Sequence, residues 1–168
     1  RVDVALAPGE AAGEATLDYL VSENKQWLVY SQLSNTGTQS TDDWRQRFGA
    51  QFTQLANMDD ILSLEYITAG FSSSHAALAS SETAISGTDR WRARLYGDFS
   101  DFTASDVGLA NERFTGESFT VGGDLIWNFF QDRELFIDAF AGIRWNQTEV
   151  FNEIVGVQGR EHFLIPKV

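Results

Sequence analysis

Apolar and polar side chains alternate with a period of two along most of this chain. In residues 44–54 the even positions carry Trp44, Phe48 and Phe52, whereas the odd positions carry Arg45 and Arg47. Such alternation is typical of a β-strand with one apolar and one polar face. It recurs, with varying clarity, in residues 27–35, 61–71, 75–80, 90–99, 117–130 and 135–146. With a last segment at 161–168, we predict an all-β, antiparallel protein with about eight strands from Trp27 onwards.

The clearest segments are longer than the strands of soluble proteins. They span about 10 to 14 residues, whereas soluble strands have a mode near 5 to 6 and a tilted membrane strand needs about 9 to 11. The length favours an outer-membrane β-barrel, which closes because lipid cannot hydrogen-bond the edge of a sheet. Five tryptophans near the segment ends are predicted to form an aromatic girdle at the membrane interface: Trp27, Trp44, Trp91, Trp127 and Trp145. A soluble sandwich would use them to cap its core, but that interpretation leaves the strand length unexplained.

The first 24 residues differ from the rest. Residues 2–7 and 15–21 are short apolar stretches on either side of a loop with proline and glycine, residues 8–14, and they predict an antiparallel pair. We place a domain boundary near Asn24, which divides the chain into residues 1–24 and 25–168. Tight turns are predicted at 56–60 and 131–134. Gly122 and Gly123 fall inside a predicted strand and are expected to mark a bend or a bulge.

Composition narrows the function. The chain has 168 residues and a formal net charge of -12, so it is short for a large enzyme and too acidic for general binding to nucleic acid. It has no cysteine, which excludes disulfides, thiol nucleophiles and cysteine zinc sites. The sequence contains no run of about 18 apolar residues, so it does not predict a transmembrane helix. Residues 1–10 lack the apolar core of a signal peptide, so we expect a mature or truncated start.

No group of residues in the sequence predicts catalysis. His75 follows three serines, but adjacent residues of a strand point to opposite faces and would not form a relay. The histidines, His75 and His162, are not spaced as zinc ligands. Carboxylate pairs at 59–60 and at 132 and 134 are interpreted as solvated turn residues rather than calcium ligands. We therefore predict that the protein is not an enzyme and has no catalytic residue, metal or cofactor.

Several stretches resemble one family of outer-membrane transporters. The start of the chain resembles the closing β-hairpin of a POTRA domain, a periplasmic module that precedes such barrels. The residues that carry this resemblance are RVDVALAPGE (1–10), Gly13 and LDYLVSE (17–23). Three further stretches look like the barrel entry of the two-partner secretion transporters, the haemolysin secretion/activation family. They are WLVYSQLSNTGT (27–38), WRQRFG (44–49) and NMDDILSL (57–64). FTASDVG (102–108) and FTGES (114–118) are similar to loop sequences of that family. The resemblance covers nearly the whole chain and rests on pattern rather than on a signature motif.

This resemblance implies the end of a POTRA domain followed by the first half of a translocator barrel. Such a protein lies in the bacterial outer membrane, contacts outer-membrane lipid, and has its N-terminal segment in the periplasm. It secretes a partner exoprotein of the haemolysin or adhesin type without using a nucleotide, and its POTRA domains capture that exoprotein as an added strand. The family's signal peptide, full POTRA region and later barrel half, with its Arg-Gly-Tyr/Phe loop, are not in this sequence. We therefore expect a fragment.

The polar faces of the strands would line the conduit of such a barrel. Nine charged residues are candidates for pore lining: Arg45, Arg47, Arg90, Arg92, Arg94, Asp98, Asp124, Asp138 and Arg144. Charges inside any barrel mostly pair with one another and stabilise the wall, so a transport role for each is a separate hypothesis. Two other functions stay open at this point. One is a passive, porin-like or structural outer-membrane barrel, and the other is a soluble β-barrel that binds an apolar ligand.

Overall fold

The computed structural model describes residues 2–9, 13–21, 25–38, 40–56, 59–85, 90–107, 112–132, 135–153 and 156–168. Within these ranges every regular element is a β-strand. A helix with the length and apolarity needed to span a membrane does not occur among these residues.

The described residues form ten strands. They are β1 Val2–Pro8, β2 Ala15–Val21, β3 Trp27–Ser34, β4 Arg45–Thr53, β5 Ile61–Ala69, β6 Ser74–Ala84, β7 Trp91–Val107, β8 Glu112–Asp132, β9 Leu135–Asn152 and β10 Val157–Lys167. Every pairing between them is antiparallel. The all-β, antiparallel class predicted from the alternation is confirmed.

The first two strands form a sheet of their own. β1 pairs with β2 from Val2 opposite Val21 to Pro8 opposite Ala15, and Gly9 N donates to the Glu14 carbonyl oxygen at 2.8 Å. The antiparallel pair expected around a proline–glycine loop is therefore present. Residues 10–12 of that loop, and Asn24 at the expected boundary, lie outside the described residues.

The other eight strands form one sheet in the order β10-β9-β8-β7-β6-β5-β4-β3. Each strand pairs with its neighbours in sequence, so the sheet is a run of hairpins with β3 and β10 at its edges. The count of eight agrees with the prediction. The strands β8, with 21 residues, and β9, with 18, extend beyond the predicted segments, because backbone pairing continues past the part of the sequence that alternates cleanly.

Asp60 closes the turn between β4 and β5. Its carboxylate accepts hydrogen bonds from Leu55 N at 3.0 Å and Ala56 N at 2.9 Å, and its carbonyl oxygen accepts one from Gln54 N at 2.7 Å. Both carboxylates therefore belong to a turn, as interpreted, but Asp60 is buried by these contacts and is not solvated as expected. Residues 57–58 of this turn, and 133–134 of the other predicted turn, lie outside the described residues.

The long strands are irregular at other places than expected. Pairing shifts between Ala104 and Val107 on β7 and between Asn128 and Phe130 on β8. Gly122 and Gly123 lie in continuous pairing with both neighbouring strands, so a bulge predicted there is wrong, whereas a bend at this pair stays a prediction. After the shift on β8, Phe130 stands opposite Ile137, which puts it on the face opposite to the one that strict alternation predicts.

Within the described residues no second layer covers the eight-stranded sheet. Among their apolar side chains only that of Ala69 is buried, whereas Leu95 is 68% and Trp27 57% exposed. A soluble sandwich would place such side chains in a dry core between two sheets. The described residues do not form such a core.

Candidate functional site

The pairing register sorts the side chains of the eight-stranded sheet onto two faces. Residues directly opposite one another on neighbouring strands point the same way and form rows across the sheet, which we call rungs. One face, the polar face, carries Arg94 and Asp124, and the other, the apolar face, carries Leu95 and Trp127. The two faces continue from strand to strand across all eight strands, so the sidedness is a property of the whole sheet.

Eight of the nine predicted pore-lining residues share the polar face. The register places these eight on it: Arg45, Arg47, Arg92, Arg94, Asp98, Asp124, Asp138 and Arg144. The ninth, Arg90, directly precedes β7, and its carbonyl oxygen accepts a hydrogen bond from Asn128 N at 2.8 Å. A role in lining a pore stays a prediction for all nine.

One rung of the polar face alternates in charge. It runs through Glu82, Arg94, Asp124, Gly142 and Lys167. The Asp124 side chain is 3% exposed and lies between two cations: Arg94 Nε is 3.8 Å from its Oδ2, and Lys167 Nζ donates to both of its oxygens at 3.1 Å. Lys167 Nζ also donates to the Tyr96 hydroxyl at 3.2 Å. This rung therefore ties β6, β7, β8 and β10 together by paired charges.

Arg92 joins the end of the polar face to a turn. Its Nε donates to Glu82 Oε1 at 2.7 Å, and its Nη1 donates to Asp59 Oδ2 at 2.6 Å. A third bond runs from Nη2 to the Asp59 carbonyl oxygen at 3.0 Å. The guanidinium is thus held by β6 and by the β4–β5 turn, which favours a role in stabilising the wall.

The remaining candidates do not join that cluster. Arg47 Nη1 lies 4.0 Å from Glu65 Oε1, and Arg45 Nη2 donates to Thr41 Oγ1 at 3.0 Å. Asp138 accepts a hydrogen bond from Asn128 Nδ2 at 2.6 Å. Asp98 stands opposite Thr120, and Arg144 stands opposite Gly122.

The sequence missed four polar-face residues that hold these charges: Glu65, Glu82, Tyr96 and Lys167. Glu82 belongs to β6, whose two faces both carry alanine and serine, so its alternation is weak. The final segment had no assigned faces, which left Lys167 without a partner. The odd or even number of each position along its strand was the available signal for these residues. It assigns a residue to a face only once the register between strands is known.

The apolar face carries two rows of aromatic side chains. In the first row, Trp27 stands opposite Phe52, and Trp91 stacks on Trp127 with 5.4 Å between ring centroids. The second row crosses the middle strands and consists of Phe48, Tyr66, Phe99, Phe119 and Trp145. Trp91 and Phe99 are eight residues apart on β7, as are Trp127 and Phe119 on β8. At about 3.3 Å per residue and a tilt of about 40°, the rows would stand roughly 20 Å apart along a membrane normal, close to the apolar band of about 25 Å in outer-membrane barrels.

All five tryptophans fit the apolar face, but not all lie at strand ends. Trp27 and Trp91 are the first residues of β3 and β7, and Trp44 directly precedes β4. Trp127 and Trp145 lie inside β8 and β9, because those strands continue well past the alternating segments. The expected position at strand ends is therefore wrong for these two, and a role at a membrane interface stays a prediction for all five.

Polar residues replace the aromatic ones in the next rung of the apolar face. This rung runs through Gln46, Thr68, His75, Asp101, Glu117, Glu149 and Arg160. Arg160 Nη2 pairs with Glu149 Oε2 at 2.6 Å. The apolar belt thus ends beyond the second aromatic row, as it would where strands leave hydrocarbon for water.

His75 is satisfied by its neighbours on this face. Its Nδ1 lies 2.7 Å from the Tyr66 hydroxyl and 3.3 Å from Thr68 Oγ1, and its ring stacks on that of Tyr66 at 6.1 Å. These contacts are to β5 and not to the serines that precede it. Within the part of the chain that the structure describes, no group of three or more His, Cys, Asp or Glu side chains is arranged to hold a metal ion.

Comparison with known proteins gives a match in fold but none in sequence. No protein-family model matches the chain, and no curated protein matches it. Among solved structures, it is similar to CdiB from Escherichia coli with a TM-score of 0.76 and 14% sequence identity. The match covers 97% of this chain and 31% of the CdiB chain. This chain therefore has the fold of part of a β-barrel protein about three times its length.

Proposed function

We propose that the chain is part of an outer-membrane translocator of the two-partner secretion type, which secretes a partner exoprotein through a β-barrel pore. The observation that carries the proposal is the likeness in fold to CdiB, a two-partner secretion transporter. It agrees with the resemblance of residues 27–64 to the barrel entry of that family. Because the chain spans 31% of CdiB, transport itself would belong to the whole protein.

The two faces of the sheet support a membrane location for residues 25–168. The apolar belt between the aromatic rows would face lipid, and exposed side chains such as Leu95 and Val121 would lose contact with water there. The polar face would enclose the passage. Its charges are mostly paired, as between Lys167 and Asp124, and a wall of compensated charges attracts an unfolded chain only weakly.

The two-stranded sheet at the start would be the end of a POTRA domain in the periplasm. The match to CdiB leaves out only a few residues of this chain, so most of β1 and β2 fall within it. Such a sheet has edges to which an extended segment of the exoprotein could add as a strand. In this role the protein binds and conducts a polypeptide and is not an enzyme.

The membrane arrangement can be tested with single cysteines: these 168 residues contain none, and any cysteine elsewhere in the full-length protein is first replaced by serine. In the full-length protein in native outer membranes, a cysteine at Ser100 on the polar face should react with a water-soluble maleimide. A cysteine at Val121 on the apolar face should not react with the maleimide in the folded protein. It should react after the protein is unfolded with denaturant. Equal reaction of both cysteines in the folded protein would contradict a lipid-facing belt.

Secretion is tested by expressing the full-length protein together with the exoprotein encoded beside its gene. We expect the exoprotein in the medium only when the transporter is present, and its loss when residues 1–24 are deleted. The control for the deletion is heat-modifiable migration on gels, which reports that the barrel still folds. A folded, inserted barrel that releases no exoprotein would favour a passive, porin-like barrel instead.

A further inference from the structure

Four glycines on the polar face each leave a gap that a neighbouring side chain fills. They are Gly49, Gly116, Gly122 and Gly142, and the residues lying over them are Tyr30, Phe102, Tyr96 and Asp124 respectively. Each of these side chains belongs to the residue directly opposite the glycine on the preceding strand. A Cβ on Gly122 would stand 2.5 Å from the Tyr96 ring, closer than van der Waals contact permits.

All four side chains lean the same way, towards the strand that follows the glycine. The Tyr30 hydroxyl passes over Gly49 and donates to Glu65, the next residue of that rung. Asp124 passes over Gly142 and accepts from Lys167, again the next residue of its rung. The side chains thus lie along the sheet instead of standing out from it.

Glycines of the apolar face have a different environment. Gly123 is adjacent to Gly122 but points the other way, and a Cβ there would meet the flexible end of Leu95 at 3.1 Å. At Gly97 the nearest atom to a Cβ is the Thr120 carbonyl oxygen, also at 3.1 Å. The covered glycines are therefore a feature of the polar face. Glycine weakens a strand. We therefore expect that glycine at these four positions provides a benefit in packing or function that offsets this destabilisation.

We propose that Gly49, Gly116, Gly122 and Gly142 are positioning residues that keep the interior passage clear, because they let large or charged side chains lie flat against its wall. The proposal rests on the proposed function, since it requires the polar face to line a passage. An alanine at Gly122 would push the Tyr96 ring off the wall. The atoms that a Cβ at Gly122 would meet belong to the Tyr96 side chain, which can rotate. The ring would therefore turn into the passage while the strand stays paired.

The test is the single-channel conductance of the full-length protein in planar lipid bilayers. Gly122→Ala should lower the conductance, and removing the displaced ring in the double variant Gly122→Ala, Tyr96→Ala should restore it. Gly123→Ala is the matched control, since it adds the same methyl group one residue away on the other face, and should conduct like the wild type. Gly116→Ala, with Phe102→Ala as its rescue, repeats the test at an independent site should Gly122→Ala fail to fold.

The outcomes separate this proposal from the one on which it rests. Conducting channels with equal conductance in the wild type and the folded glycine variants would overturn the role of the glycines and leave the translocator in place. Failure of the double variant to recover would also overturn it, because the ring would not be the obstruction. A wild-type protein that inserts but never conducts would overturn the passage, and the role of the glycines with it.

Discussion

Charged side chains of the polar face are mostly held in pairs, and burial decides how much each pair contributes. Opposite charges on neighbouring strands contribute about 0.2–1 kcal/mol, and exposed pairs are at the low end of that range. Asp124 differs from the others because its side chain is 3% exposed and meets both Lys167 and Arg94. Replacing an exposed charge with a single partner on this face should therefore change the free energy of unfolding little, whereas replacing Asp124 should change it more.

At the residue scale we predict that Asp124→Asn lowers the free energy of unfolding by about 1–3 kcal/mol. The change removes the charged acceptor of Lys167 Nζ and leaves Lys167 and Arg94 without the anion between them. Reversible denaturant unfolding of the full-length protein in lipid vesicles measures the effect. Asp98→Asn is the matched control: it lies on the same face and forms no ion pair with any described residue, so its change should stay below about 0.5 kcal/mol. Similar losses in both variants would show that the ion pairs of Asp124 add nothing.

At the scale of the strand, each element of the large sheet has to satisfy two environments at once. On β7 the apolar positions between Trp91 and Phe99 belong to the belt, and the belt ends at Asp101. The positions between them carry Arg92, Arg94 and other polar-face residues. A substitution on a strand should therefore have opposite consequences at adjacent positions.

We expect Leu95→Arg to cost about 2–4 kcal/mol of folding free energy in a bilayer, the range found for arginine at the midplane on the lipid face of a barrel. Leu95 lies midway between the two aromatic rows on β7 and is 68% exposed. Ser100→Arg, on the polar face of the same strand, serves as the control and should change the stability little. Guanidinium unfolding in vesicles gives both numbers. Equal tolerance of arginine at the two positions would mean that lipid does not cover the apolar face.

At the scale of the whole molecule, the architecture depends on what pairs with the two edge strands of the large sheet. β3 and β10 each have one neighbour among the described strands, and in the proposed membrane location lipid would offer no partner for the backbone groups on their other side. The match covers 31% of the CdiB chain, so under the proposed function further strands of a longer translocator would pair with these edges. Eight strands can also close on themselves in the smallest barrels.

Residues 25–168 expressed alone, together with vesicles or detergent, should therefore not yield a stable monomeric barrel. Heat-modifiable migration on gels checks this, since a closed barrel resists SDS until boiled, and the full-length protein should show the shift. A heat-modifiable monomer from residues 25–168 alone would mean that β3 and β10 pair with each other.

Much of this architecture was readable from alternation. The strand class, the eight strands from Trp27 onwards and the separate pair at the start agree with the structure, because a period of two is a local property of a strand. Strand ends were less accurate, since pairing lengthened β8 and β9 beyond the alternating residues. The meaning of Gly122 was also missed, because its partner Tyr96 lies on another strand.

The sequence by itself determined which side chains of one regular strand share a face, since parity places Arg94 among the polar residues of β7 and Asp124 among those of β8, and Phe130, which follows a pairing shift, is the exception. Only the tertiary structure decided which of them meet. The register brings Asp124 opposite Arg94 and next to Gly142, and that glycine lets the carboxylate reach Lys167, 43 residues away. A one-residue slip in pairing would break these contacts. The identity of the contacts is therefore a property of the register, which no single strand contains.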